Sequence, residues 1–133
     1  MDPTIDLTVK DVRASAEFYA ALGLDVPDVW EQDGQAHHVQ IADGPMLNSI
    51  ALTKGYDASW PDDTPGVMFV FHVDDRASVD RRHAALVAAG YASHLDPFDA
   101  FWGSRYAVVD DPDGNHVGIM SPQDGEHQPA PVA

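Results

Sequence analysis

The feature that most constrains the fold of this chain is an internal repeat. Two segments recur 64 residues later: Val9-Lys10-Asp11 as Val73-Asp74-Asp75, and Ala20-Ala21-Leu22 as Ala84-Ala85-Leu86. Gly23 and Gly90 follow the matched segments at a shift of 67, so the second helix is expected to be about one turn longer. Repeated units of this kind cannot each bury their apolar face alone. The repeat therefore predicts one domain built from two similar modules.

Hydrophobic periodicity in the first half predicts one strand, one helix and then three strands. Ile5, Leu7 and Val9 alternate with polar residues, which is the period-two pattern of a half-buried strand. Apolar residues then recur at helical spacing over 12–22, and Gly23 suits the C-cap of that helix. The later strands are predicted at 26–32, 37–41 and 47–53, separated by the turns Asp33-Gly34 and Asp43-Gly44.

The second half repeats this order after residues 54–66, whose glycines and prolines are typical of a linker. A strand is predicted at 67–73, a helix at 78–89, and strands at 91–95, 105–109 and 116–120. The predicted fold class is therefore α+β, two βαβββ modules at about 4–54 and 67–122 within one domain, residues 1–122. Residues 123–133 are predicted to form a disordered tail.

Composition and charge exclude several classes of function. The chain has no cysteine, so disulfides, a thiol nucleophile and a zinc–thiolate site are ruled out. Its 22 acidic against 7 basic residues give a net charge of −15, which repels phosphate groups and makes nucleic acid and anionic membranes poor partners. There is no run of 18 apolar residues and no signal-peptide pattern at the start, so we expect a cytoplasmic protein.

Two groups of motifs, taken in order and at their spacing, resemble the vicinal oxygen chelate superfamily. They are Val9-Lys10-Asp11-Val12 with Phe18-Tyr19-Ala20-Ala21-Leu22-Gly23, and Trp102-Gly103-Ser104-Arg105 with Asp111-Pro112-Asp113-Gly114-Asn115. This superfamily includes glyoxalase I, extradiol dioxygenases, and fosfomycin and bleomycin resistance proteins. The resemblance spans residues 5–122. It implies two βαβββ modules that form a curved, eight-stranded cup around a site, in chains that pair as homodimers.

The resemblance also implies where a metal would be held, and this chain departs from that pattern. Enzymes of the superfamily take metal ligands from the first and last strands of each module, usually His or Gln on the first and Glu on the last. The corresponding positions here are Thr4, Met68, Gly118 and a position near Ala51. The three glutamates of the chain lie elsewhere: Glu17, Glu31 and Glu126. We therefore predict no metal, no cofactor and no catalysis.

Two histidines share strand faces with these positions. His72 is in phase with Met68, and His116 is in phase with Gly118. We interpret both as polar residues that line a pocket, and a metal site built from them is the weaker alternative. His37 and His38 are neighbours in one strand, so their side chains point to opposite faces.

Without a metal, the chain is most similar to the drug-binding resistance proteins of the superfamily, such as those that bind mitomycin. That similarity is strongest over residues 88–122 and implies that Trp102 and Phe98 face the drug. Trp102 has an alternative role as a core residue at a sheet edge, and one of Phe98 and Phe101 is expected to pack inward. Trp60 is interpreted either as a pocket-rim residue or as a dimer contact. The candidate ligand-binding residues are Trp102, Phe98, Phe101, Trp60, Tyr56, Asn48, His38, Met68, His72 and His116.

The predicted function is self-resistance by sequestration of a small-molecule antibiotic. The expected ligand is a planar aromatic or quinone-type drug of the mitomycin or anthraquinone-fused enediyne class, because flat apolar rings stack on aromatic side chains. Three alternatives stay open: a bleomycin-type drug, a common metabolite such as a flavin, and a metal-dependent lyase or dioxygenase of the same superfamily.

Overall fold

A computed structural model of the chain describes residues 1–124. Eight strands and three helices follow one another in that part of the chain, in the predicted βαβββ order taken twice with one additional helix. The described residues form two compact units: an N-terminal unit, residues 5–67, and a C-terminal unit, residues 1–4 together with residues 68–124. The α+β class with two βαβββ modules is confirmed. From residue 125 onward, the predicted tail lies outside the described residues.

The N-terminal unit contains a four-stranded sheet covered by a helix. Its elements are the part of β1 (Asp2–Val9) from residue 5 onward, α1 (Val12–Leu22), β2 (Trp30–Gln32), β3 (Gln35–Gln40), β4 (Met46–Ser49) and α2 (Ile50–Tyr56). The strand order is β2-β3-β4-β1, in which β3 is antiparallel to both neighbours and β4 is parallel to β1. The buried core between α1 and the sheet consists of Val12, Ala16, Val39, Ile41 and Leu47.

Local signals determine the ends of α1, which has the predicted bounds. The Asp11 side chain accepts a hydrogen bond from the Ala14 backbone N–H at 3.0 Å and caps the first turn. Gly23 has φ 115°, and its N–H donates to the Ala20 carbonyl at 3.0 Å. This left-handed conformation strains any residue with a Cβ atom, so glycine ends the helix without that cost.

The strand predicted at 47–53 is wrong beyond Ser49, where the chain turns into α2. The Ser49 hydroxyl accepts a hydrogen bond from the Leu52 N–H at 3.0 Å and starts this helix. The buried Thr53 hydroxyl lies 2.8 Å from the Thr8 hydroxyl and fastens α2 to β1. A short apolar run cannot be assigned to helix or strand from periodicity, and here tertiary burial favours the helix.

The C-terminal unit repeats the arrangement. Its elements are β5 (Gly66–His72), α3 (Arg76–Ala88), β6 (Ser93–Asp99), β7 (Arg105–Asp110) and β8 (His116–Met120). The strand order is β5-β8-β7-β6; β5 is parallel to β8, and the other two pairs are antiparallel. The longest described helix, α3, has 13 residues, and no helix within residues 1–124 is long and apolar enough to cross a membrane.

The position of β6 differs from the predicted strand at 91–95, because the strand begins at Ser93 and continues to Asp99. Its register against β7 shifts twice, between Ser93 and Leu95 and between Leu95 and Phe98. Such bulges interrupt the period-two pattern on which the prediction relied, and they also tolerate Pro97 within the strand. The segment expected to be a loop therefore contributes Phe98 to the sheet.

The two faces of the C-terminal sheet have different roles. One face packs on α3 through a core of Val73, Val79, Ala107, Val109 and Ile119. Because successive strand residues point to opposite faces, Tyr106, Val108 and Gly118 lie on the other face. Val108 and Gly118 are cross-strand partners there. This second face carries the candidate site.

Candidate functional site

An aromatic cluster lies on the C-terminal sheet face opposite α3. Tyr106 is its centre and is only 2% exposed. The ring of its cross-strand partner Phe98 is centred 5.8 Å away at 85°, and the Trp102 ring is centred 5.3 Å away at 70°. Both contacts are edge-to-face, a favourable geometry for aromatic pairs. Phe98 and Trp102 are half-buried, so part of each ring remains accessible beside a fixed central tyrosine.

A tight connection between β6 and β7 positions Trp102. The Ala100 N–H donates to the Ser104 carbonyl at 2.8 Å, and the Gly103 N–H donates to the Ala100 carbonyl at 3.0 Å. Gly103 has φ 98°, a conformation in which glycine is unstrained. The Gln123 side-chain amide donates to the Trp102 carbonyl at 2.8 Å. Trp102 is thus held by backbone hydrogen bonds on both sides of the turn.

The structure distinguishes the two phenylalanines of this segment. Phe98 belongs to β6 and contacts Tyr106, whereas Phe101 lies in the connection and contacts Trp102 at 5.0 Å and 89°. Phe98 is therefore the one that shares the sheet face of Tyr106. That Phe98, and not Phe101, faces the drug stays a prediction.

The positions that correspond to metal ligands in the C-terminal unit do not fit a divalent ion. A Cβ atom at Gly118 would lie 2.8 Å from the Tyr106 hydroxyl oxygen, so only glycine leaves room for this tyrosine. The same hydroxyl lies 4.0 Å from the Met68 sulfur, and Met68 is buried. Ions of the enzyme sites need several oxygen or nitrogen donors. A thioether, a glycine and a neutral phenol do not supply them.

The other two positions, Thr4 and Ala51, do not carry the histidine, glutamine or glutamate of the enzyme sites. The Thr4 hydroxyl, which belongs to the C-terminal unit, lies 3.1 Å from His72 Nε2. Ala51 is the second residue of α2 and has no polar side chain, so the expected ligand position near Ala51 does not lie on β4 (Met46–Ser49), the last strand of its module. His72 thus has Thr4 as its hydrogen-bond partner.

Among the candidates in the N-terminal unit, His38 and Asn48 form a pair. They are cross-strand partners on β3 and β4, and Asn48 Oδ1 lies 2.8 Å from His38 Nδ1. Asn48 is 4% exposed, whereas His38 is half-buried. The adjacent His37 bonds to the Ser49 hydroxyl at 2.7 Å, as expected for neighbours that point to opposite faces.

Trp60 folds back on its own loop, and the predicted linker at 54–66 starts inside α2. The indole N–H donates to the Thr64 carbonyl at 2.7 Å, and the ring lies so close to Gly66 that a Cβ atom there would be 2.7 Å away. Only 9% of Trp60 is exposed. Its interpretation as pocket rim or dimer contact stays a prediction, although little of the ring is accessible within the N-terminal unit.

Tyr56, the last residue of α2, has a perturbed hydroxyl. Burial raises its pKa far above the usual range, and the carboxylates of Asp6 and Asp57 add to the increase. The phenol is therefore neutral at all physiological pH values. In a binding role, it would contribute an uncharged hydroxyl.

Among the candidate residues, His116 has the contacts that differ most from those of a residue that only lines a pocket. Its Nδ1 lies 2.6 Å from Asp110 Oδ1. Its ring stacks on the His94 ring with centroids 4.0 Å apart and an angle of 20°. His72, which the weaker alternative paired with His116, instead bonds to Thr4.

Sequence reasoning missed three residues of these arrangements: Tyr106, His94 and Asp110. The alternation along β7 was a usable signal, because it places Tyr106 on the face of Val108. Asp110 and His116 flank a predicted turn, so hairpin pairing makes them cross-strand partners, as the structure confirms. No sequence signal places His94 beside them, since a bulge determines its direction.

Comparison with known proteins determines the family. The model of the Glyoxalase/Bleomycin resistance protein/Dioxygenase superfamily matches residues 3–119. The chain belongs to this superfamily. The predicted resemblance to the vicinal oxygen chelate proteins is thereby confirmed, whereas the mitomycin-binding subgroup stays a prediction. No curated protein matches the chain.

Solved structures of similar fold carry differing names. The chain is 19% identical to a structure described as NAD-dependent benzaldehyde dehydrogenase from Legionella pneumophila, with a TM-score of 0.66, over 92% of this chain and 100% of that one. A Mn(II)-bound glyoxalase from Novosphingobium aromaticivorans is 22% identical, with a TM-score of 0.60, over 96% and 40%. Methylmalonyl-CoA epimerase from Mycobacterium tuberculosis is 19% identical, with a TM-score of 0.58, over 91% and 87%. These structures show the fold alone, since one fold hosts many chemistries.

Proposed function

We propose that this superfamily member binds a planar aromatic or quinone-type antibiotic, of the mitomycin or anthraquinone-fused enediyne class, and sequesters it without converting it. The observation that carries the proposal is the aromatic cluster of Phe98, Trp102 and Tyr106. Ligand sites combine apolar and aromatic walls with a few polar groups, and each aromatic contact adds about 0.5–1.5 kcal/mol beyond burial. A rigid tyrosine with two half-buried rings beside it offers such a surface.

Sequestration without catalysis is supported by the donor chemistry around Tyr106. The positions of the superfamily's metal ligands in this unit carry Met68 and Gly118, and Tyr106 fills the space above Gly118. The same tyrosine that builds the aromatic cluster thus takes the volume that a longer side chain at position 118 would need. This arrangement supports the proposal that the chain binds its ligand without converting it.

A neutral ligand is favoured over a cationic one such as bleomycin. The carboxylate nearest in sequence to the cluster, Asp99, forms ion pairs with Arg76 and with Arg105, the latter at 3.2 Å. This acid is therefore charge-balanced within the protein. The net charge of −15 attracts cations to the whole surface, but it does not place an unpaired carboxylate beside Phe98.

Calorimetric titration with four ligands tests the proposal: mitomycin C, an anthraquinone-fused enediyne, bleomycin and riboflavin. We expect saturable binding of one of the first two at micromolar affinity or tighter, with the ligand recovered unchanged. Trp102→Leu should weaken that binding about two- to tenfold, the equivalent of one lost aromatic contact. Trp30→Leu is the matched control, because Trp30 is a half-buried tryptophan of the N-terminal unit that contacts His37.

Other results would redirect the proposal. Selective binding of bleomycin or riboflavin would replace the ligand class, and a converted product would replace sequestration by catalysis. Equal weakening by the two tryptophan substitutions would contradict the assigned site. The predicted homodimer is part of the proposal, and sedimentation velocity with and without the bound ligand tests it.

A further inference from the structure

Three side chains with metal-binding atoms converge in the C-terminal unit, outside the aromatic cluster. His94 comes from β6, Asp110 from the end of β7 and His116 from the start of β8. One ligand atom of each residue lies within 4.8 Å of those of the other two, and all three side chains are half-buried. Within residues 1–124, no other group of three histidine or acidic side chains meets this 4.8 Å limit.

The backbone holds this group together from two directions. Asp110 and His116 close the β7–β8 hairpin as cross-strand partners. The Asp110 N–H donates to the Ala92 carbonyl at 2.9 Å, which ties the start of β6 to the same place. The register shift between Ser93 and Leu95 then allows His94 to stack on His116.

The neighbouring Asp111 shows why Asp110 is the acid in this group. The Asp111 carboxylate accepts hydrogen bonds from the Asp113 N–H at 3.0 Å and from the Asn115 N–H at 2.8 Å. It is therefore occupied by the turn. Asp110 instead directs its carboxylate to the His116 imidazole.

We infer that His94, Asp110 and His116 bind one divalent late first-row transition-metal ion, with Zn²⁺ the best match. Two imidazoles and one carboxylate form a nitrogen-rich set that suits zinc, and three protein ligands leave a fourth position for water. The ion replaces the hydrogen bond between Asp110 and His116. The site uses none of the positions that hold the metal in the superfamily's enzymes, and it does not depend on drug binding.

Binding of one ion requires side-chain rotation, because the nearly parallel His94 and His116 rings do not direct their nitrogen lone pairs at a common point. The His94 ring therefore has to turn out of its stack on His116. A tetrahedral ion with Zn–N and Zn–O distances of about 2.0–2.1 Å needs donor atoms about 3.3 Å apart. The ligand atoms lie within 4.8 Å of one another, so the pairs near this limit must also move closer together. The Asp110–His116 hydrogen bond and the His94–His116 stack also hold these side chains together without an ion. Uptake of an ion is therefore the observation that distinguishes a metal site from a hydrogen-bonded group. The net charge of −15 raises the local concentration of cations in either case.

Zinc titration of the full-length, tag-free protein, first treated with a chelator and then dialysed, tests the inference. We expect one Zn²⁺ per chain by calorimetry, and a Co²⁺ absorption spectrum of four-coordinate nitrogen and oxygen ligation. His94→Gln and Asp110→Asn should each weaken the affinity at least about tenfold. The matched control is His38→Gln, which removes a half-buried strand histidine of the N-terminal unit that bonds to Asn48 of the same unit. It should bind zinc as the unmodified chain does.

Nuclear magnetic resonance of the unmodified protein provides a readout that needs no variant. Zinc should shift the imidazole signals of His94 and His116, and leave those of His38 and His72 in place. Absence of stoichiometric binding would overturn the inference, as would undiminished binding by both folded variants or an equal loss in His38→Gln. These measurements use the ion alone, so failure of the drug-binding proposal does not affect them.

Discussion

The Tyr106 hydroxyl lies so close to Gly118 that it excludes any residue larger than glycine at position 118. A Cβ atom there would lie 2.8 Å from the hydroxyl oxygen and 3.1 Å from a ring carbon of the same tyrosine. Tyr106 is 2% exposed and cannot move away freely. An aromatic cluster centred on Tyr106 and a long ligand side chain at position 118 are therefore alternatives, and this chain has the aromatic cluster.

Gly118→Ala should lower the free energy of unfolding by about 1–3 kcal/mol, because the added methyl group overpacks against the tyrosine. Urea denaturation measures this loss. Tyr106→Phe removes the closest atom, so the double variant should be more stable than the sum of the single effects predicts. Strict additivity would show that the contact is not the cause.

Phe98 and Phe101 should contribute unequally to the binding of the proposed drug. Phe98→Leu removes a ring that contacts Tyr106, and we expect it to weaken binding about two- to tenfold. Phe101→Leu is the matched control, because its ring contacts Trp102 from the connection after β6. Calorimetric titration of both variants decides the matter, and a larger effect of Phe101→Leu would reverse the assignment.

Ser49→Ala should destabilise the protein more than Asp11→Ala does. Both substitutions remove an N-cap, which costs about 0.5–2 kcal/mol. Ser49 also bonds to the buried ring of His37, which loses its partner in the variant. Thermal and urea unfolding of the two variants provide the comparison. Equal losses would mean that the His37 contact adds nothing measurable.

Stability should depend on pH through Asp75, the N-cap of α3. Hydrogen bonds from the Ser78 side chain and N–H hold the pKa of Asp75 below its ordinary value of 3.8. A carboxylate with a lowered folded pKa stabilises the protein above its ordinary pKa, and that stabilisation is lost as the pH falls through the folded value.

Asp75→Asn keeps a capping side chain but has no titrating group. The variant should therefore lose less stability than the unmodified chain between about pH 5 and pH 3. Urea midpoints across this interval test the difference. Parallel pH profiles would show that Asp75 has the same pKa in the folded and unfolded chains.

Much of the fold was predictable because its signals are local. The bounds of α1 follow from a cap, helical spacing and Gly23, all within one short segment. The predicted turn Asp33-Gly34 has φ values of 53° and 79°, the conformation for which these residue types are suited. In a chain with 22 acidic and 7 basic residues an arginine readily meets carboxylates, and Arg105 pairs with Asp80 and Asp99.

The errors occurred where distant contacts override local preference. The run from Ile50 to Thr53 is apolar enough for a strand, yet it is helical in the structure. In this helix the Thr53 hydroxyl contacts the hydroxyl of Thr8, which is distant in the sequence. In β6, two bulges change which residues share a sheet face, and no residue type in the segment predicts these bulges. Trp60 has the sequence context of an exposed loop but is buried on Gly66.

The sequence by itself determined the two-module α+β fold and the superfamily, because repeats, caps and motifs are properties of short segments. Only the tertiary structure decided which side chains meet. The contact of Tyr106 with Gly118, and that of His94 with Asp110 and His116, depend on strand register and on a bulge. Register is determined by the packing of whole strands, so one shifted residue would redirect every side chain that follows.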